Sequence, residues 1–205
     1  MSAYSSYVRD FPLRCGEILE EFRLPSRKRG RDVTLLLSIS TAALIIPYER
    51  LGTPNNTAHP LRDRDRYPKA ARQYEELLDK PFLSSPLWGR EEVSTWRKGS
   101  VQDVRSGGPD TWPELRDARP MQSDVPVGKV LRILRNALAH GNVFTEGRVI
   151  RNIVLLAKER NSVAFGFISV SPDDFRKFMM DYIGFLRDLN FAEVLLGEEP
   201  GVARI

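Results

Sequence analysis

Apolar residues recur at helical spacing along most of this chain and at strand spacing in one late stretch. Phe11 to Phe22 carries Cys15, Ile18 and Leu19 on one helical face. Pro25 to Arg31 follows as a basic, helix-breaking link with Arg27, Lys28, Arg29 and Arg31. The run from Val33 to Ile46 is apolar nearly all the way round, which predicts a central buried helix capped by Asp32 and closed by Pro47. Gly52 to Pro60 is a loop, and Arg62 to Arg66 alternates in charge as a solvated face does. Ala70, Ala71, Tyr74, Leu77 and Leu78 set a third helix over Lys69 to Leu78. Pro81 to Asp124 is irregular, with a short helix expected around Glu91 to Lys98.

Regular patterning returns at Val125. Asp124 is placed to cap a helix with Pro126 in its first turn, and Gly141 to close it in the left-handed conformation just after His140. Val149 to Ala157 and Val163 to Val170 read as two strands joined through Glu159, Arg160 and Asn161. Ser171-Pro172-Asp173-Asp174 then opens a last helix from Phe175 to about Leu189. The expected fold is mainly α: a single domain over residues 1–205, a bundle of four or five helices with a β-hairpin inserted between the last two long ones.

Composition narrows the class. The 205 residues are 41% hydrophobic and 28% charged, as in an ordinary globular domain with its own core. The formal charge of +4 is too small by itself to specify a nucleic-acid partner. One cysteine, Cys15, excludes an internal disulfide and a cysteine-based metal site, and its apolar neighbours predict a buried thiol in a cytoplasmic protein. The first ten residues are polar, without the apolar core of a signal peptide. Val33 to Ile46 falls short of the roughly 20 residues that a membrane span needs, so no membrane partner is expected.

The chemistry concentrates on the helix ending at His140. On a helical wheel, Val130, Leu131, Leu134, Ala137 and Leu138 share the arc that faces a core. Lys129, Arg132, Arg135, Asn136 and His140 share the opposite arc, and Arg132, Asn136 and His140 stack at successive i, i+4 positions. Histidine moves protons near neutral pH, arginine grips a phosphate through two hydrogen bonds, and asparagine orients either. This set suits cleavage of a phosphodiester by its neighbouring ribose hydroxyl, which needs no metal or other cofactor and which RNA alone supplies. Spacing alone leaves two other readings open: a solvated helix face, and a histidine favoured by the dipole at a helix C-terminus.

The string Arg135-Asn136-Ala137-Leu138-Ala139-His140-Gly141-Asn142 resembles the Arg-x(4–6)-His signature of HEPN domains, in the form where Asn follows the Arg. Gly30 to Leu37, Ile46 to Leu51 and Ser169 to Phe175 are similar to segments of a plasmid- and defence-associated HEPN subfamily. The resemblance implies a dimerising helical bundle whose paired motifs form one composite site and cut RNA without metal, leaving a 2′,3′-cyclic phosphate. Arg135 would grip the scissile phosphate, His140 would transfer a proton or hold the phosphate, and Asn136 would orient the pair. Lys129 and Arg132 would contact the RNA beside them. A toxin or antiphage role, with an antitoxin or defence partner, follows from the same likeness. The position two residues past the histidine is Asn142, where toxins neutralised by a minimal nucleotidyltransferase often carry a Tyr target.

Other candidates carry less. His59 sits in a turn-like loop with no Arg at the motif spacing, and the run Arg27 to Arg31 is a solvated link or a phosphate contact. Trp88, Trp96 and Trp112 either stack on bases or pin the irregular middle to the core. Alternatives to an endoribonuclease are a catalytically silent module that binds RNA, a nucleotide or a protein through the same face, and a structural dimer whose motif bonds only across the interface.

Overall fold

The computed structural model describes residues 6–52, 63–88, 94–102, 104, 108–158 and 163–192. The chain begins with α1 (Tyr7–Glu21), α2 (Arg23–Lys28) and α3 (Asp32–Leu51). Next come α4 (Asp63–Arg66) and α5 (Pro68–Asp79), then strand β1 (Arg97–Val101), α6 (Pro113–Arg116) and the short β2 (Arg119–Pro120). The last third holds α7 (Val127–His140), β3 (Val143–Glu146), β4 (Asn152–Lys158), β5 (Phe165–Val170) and α8 (Pro172–Asp188).

The expected long helices are all present, and two prolines read as breaks lie within helices, Pro25 in a short helix where a helix-breaking link was expected and Pro47 in α3. Pro25 occupies the first turn of α2, where a missing N–H removes no intrahelical bond. Pro47 lies inside α3, which runs on to Leu51 rather than closing near Ile46. An interior proline costs about 3 kcal/mol. Tertiary anchors in the last turn offset it: Leu51 is buried, Glu49 pairs with Arg135, and Arg50 pairs with Asp63 while its guanidinium lies 5.2 Å from the Tyr7 ring centroid. Asp63 is therefore buried rather than part of a fully solvated charge run. At 20 residues, α3 is also long and apolar enough, by length and composition, to cross a membrane. Here it is the helix against which α1, α5, α7 and α8 pack.

The expected hairpin is the centre of something larger. β4 and β5 pair antiparallel with Leu155 opposite Ile168 and Leu156 opposite Phe167. β3 and β1 add to either side, giving a five-stranded sheet in the order β2-β1-β5-β4-β3. Both faces are covered. Ile153, Leu155, Ile168 and Val170 join the helical core, while Val154, Leu156 and Phe167 pack with Val101, Trp112, Leu115 and Ala118 on the other side. The stretch expected to be irregular supplies that second layer and, as β1 and β2, one side of the sheet. Lys98, assigned to a helix, is strand β1, with the Phe167 ring lying over Gly99 in the space a side chain would fill. Val149 and Ile150, assigned to a strand, are exposed in the turn before β4.

The tryptophans act as pins. Trp96 is 4% exposed among Phe82, Phe175 and Phe178, and Trp112 is 2% exposed against Phe144. Trp88 packs edge-on against Phe82. Cys15 is buried, as its neighbours require, and burial pushes its thiol up to about 11. At the bundle centre the Tyr74 and Tyr182 hydroxyls meet at 2.8 Å, satisfying each other where no water reaches.

Candidate functional site

Helix α7 is fixed at both ends. At its start the Val127 N–H donates to the Lys80 carbonyl (2.8 Å), and the Phe82 N–H to that of Val125 (2.7 Å), tying it to the end of α5. Pro126 is the N-cap and contributes no side-chain bond, so Asp124, the residue expected to cap, does not do so. Gly128 lets α7 approach closely, since a Cβ there would sit 3.1 Å from the Leu78 carbonyl oxygen. At its end Gly141 takes the left-handed conformation (φ 68°) and the Asn142 N–H donates back to the Ala137 carbonyl (2.9 Å). The Asn142 carbonyl then accepts from the Leu156 N–H (3.0 Å), which anchors the motif's end to β4.

The wheel holds along its whole length. Val130, Leu131, Leu134, Ala137 and Leu138 are buried in the helical core. Lys129, Arg132 and His140 are exposed, and Arg135 and Asn136 are half-buried. The polar residues thus form a stripe along about 16 Å of helix from Lys129 to His140, open to solvent at both ends.

Arg135 is held on two sides. Its Nε and Nη2 engage Glu49, in the last turn of α3, and its Nη1 donates to the Asn136 Oδ1 (2.8 Å). A guanidinium has five N–H groups, so one on each terminal nitrogen stays available for an incoming oxygen. The group is thus oriented before any ligand arrives, and only 29% of its side chain is exposed. Tyr48, the residue before Glu49 in α3, lies in the same electrostatic neighbourhood. Burial raises its hydroxyl above the usual range while the nearby guanidiniums of Arg135 and Arg132 pull it back, so it keeps its proton at neutral pH.

His140 stands apart from this arrangement. It is exposed in the last turn of α7 and bonds neither Arg135 nor any other side chain among the described residues. Arg132 and Lys129 border an open groove of about 780 Å³, lined also by Tyr48, Glu75, Asp79 and Gly128. Arg135 and Asn136 are therefore brought together, Lys129 and Arg132 share the neighbouring groove, and a single chain leaves His140 unengaged. His59 lies outside the described residues. Among the described residues no group of three or more His, Cys, Asp or Glu side chains is placed to hold a metal ion.

Sequence reasoning gave no role to Glu49 or Tyr48. A carboxylate at the end of the most apolar helix, where the helix dipole disfavours it, was the available signal that a cation must meet it.

A helical scaffold presenting an intact Arg-x(4)-His stripe at a helix C-terminus defines a HEPN-class domain, an RNA-related module. Within that class, residues 1–190 match the family model described as HEPN pEK499 p136, and the chain belongs to that family. No curated protein and no solved structure matches it.

Proposed function

We propose that this protein is a metal-independent endoribonuclease, acting in the cytoplasm as a toxin or in antiphage defence, with Arg135, Asn136 and His140 as its catalytic group. The observation that carries this reading is the pre-oriented Arg135 on an exposed stripe that ends in a solvent-facing His140. Arg135 holds a non-bridging oxygen of the scissile phosphate through its two remaining N–H groups. One His140 takes the proton of the ribose 2′-OH as O2′ bonds to phosphorus. The P–O5′ bond breaks, and the departing O5′ takes a proton from a second His140, so the products are a 2′,3′-cyclic phosphate and a 5′-OH. Two imidazoles are needed, one as base and one as acid, and a homodimer that faces two α7 stripes supplies both. The exposed, unengaged His140 of a single chain suits that arrangement.

The unengaged imidazole also favours a second reading. With Arg135 and Asn136 formed and His140 apart, the face could bind RNA, a nucleotide or a protein, an antitoxin included, without cutting. Cleavage of RNA by purified protein in EDTA, with product ends analysed, separates the two. The expected result is cyclic-phosphate ends from wild type and a loss of about 10²- to 10⁴-fold in His140→Ala, with unchanged melting and oligomeric state. Wild-type cutting by His140→Ala would remove the catalytic assignment, and binding without cutting by wild type would establish the silent module.

A further inference from the structure

The groove beside Arg132 has a composition that the cleavage chemistry does not explain. Phosphate binding requires cations, which Lys129 and Arg132 supply, yet the same walls carry the carboxylates of Glu75 and Asp79 and the aromatic Tyr48. Carboxylates repel phosphate, so this groove is not simply a continuation of a phosphate track. Glu75 is tied to Arg64 (2.8 Å), but Asp79, Lys129 and Arg132 have no ion pair among the described residues. Two cations and one carboxylate, all unengaged, thus border one open space next to an aromatic ring.

We propose that this groove is a guanine subsite for the nucleotide next to the scissile phosphate, an inference that rests on the ribonuclease reading above. Guanine alone among the four RNA bases presents two adjacent donors, N1–H and N2–H, on one edge and two acceptors, O6 and N7, on another. An ionised carboxylate only accepts, so Asp79 matches the donor edge and no other base offers it a pair. Adenine and cytosine set an acceptor beside their one amino group, and uracil flanks its single N–H with two carbonyls. Lys129 and Arg132, which only donate, match the O6/N7 edge. Tyr48 supplies ring surface for the base, and its retained proton keeps a further donor at neutral pH. The groove has the size of a small-ligand site and lies one helical turn from Arg135, so a base there keeps its phosphate within reach of the motif.

The test is titration of the protein with GMP, AMP, CMP and UMP, alongside mapping of cut sites in an RNA of mixed sequence. GMP should bind about tenfold or more tighter than the other three, as a lost bidentate base contact implies, and cuts should cluster beside G. Asp79→Asn, an isosteric change at an exposed position whose fold is checked by melting, should bring GMP to the level of the others. Equal affinities, no binding of any nucleotide, or a preference that survives Asp79→Asn would overturn the subsite. A guanine preference without RNA cleavage would leave the subsite standing and remove the ribonuclease reading. Cleavage with no preference beside G would do the reverse.

Discussion

Glu49→Gln tests whether the carboxylate from α3 positions the arginine or merely stabilises the fold. The change keeps the side chain's size and one acceptor oxygen but removes the charge that engages both Nε and Nη2 of Arg135. The two side chains are 13% and 29% exposed, between a surface pair, typically below about 1 kcal/mol, and a buried one, whose breaking costs about 3–5 kcal/mol. Gln keeps part of the bonding, and losing a negative charge from the last turn of a helix returns about 0.3–1 kcal/mol. A net loss of about 1 kcal/mol follows, which for a chain of this length lowers Tm by about 2–4 °C. The effect on cleavage should be larger, because the guanidinium is freed to adopt other rotamers, and misplacement by about 1 Å can cost 10²-fold. Arg135→Ala should show the converse balance, with a greater stability loss because Glu49 would remain mostly buried without its guanidinium. The assay pairs thermal melts with single-turnover cleavage of a short RNA. If Glu49→Gln cuts as fast as wild type, or faster, then Arg135 needs no carboxylate to be placed, and the positioning argument fails.

Two further expectations follow from the core. Burial lifts the Cys15 thiol from its ordinary 9.0 to about 11, so the folded state holds that proton more tightly than the unfolded chain does. The contribution is full below pH 9, is lost between pH 9 and 11 at about 1.4 kcal/mol per pH unit, and levels off above. Denaturant melts of wild type minus Cys15→Ala across that range isolate it, and an identical pH slope in the two proteins would show that the thiol is not held this way. In the sheet, Gly99→Ala should destabilise by about 1–3 kcal/mol, since the new Cβ would lie 2.4 Å from the Phe167 ring carbon Cζ. Chemical denaturation measures it, and a neutral result would mean that the ring moves aside freely.

Local patterning was most legible where one face of a helix meets the core. The arcs on α5 and α7 are buried where the wheels put them, and the Ser171 hydroxyl accepts from the Asp174 N–H (3.2 Å), as the capping pattern requires. It misled where a residue's local preference is opposed by distant contacts. Pro47 signals a stop, yet α3 continues because Leu51, Glu49 and Arg50 all find partners from elsewhere in the chain. Residues 97–120 carry weak periodicity of their own, because β1 is ordered by pairing with β5, β2 by pairing with β1, and both by Trp112 and Leu115 packing on the sheet's outer face.

By itself the sequence determined which side of α7 is polar, where that helix ends, and that Arg135, Asn136 and His140 belong to one motif. These properties arise within a few residues, from helical periodicity and the left-handed tolerance of Gly141. Only the tertiary structure decided that Glu49 clamps Arg135, that Tyr48, Glu75 and Asp79 share a groove with Lys129 and Arg132, and that the hairpin grows into a five-stranded sheet. Each depends on segments far apart in the chain being packed together by burial of their apolar faces, and that association leaves no mark in the local spacing of residues.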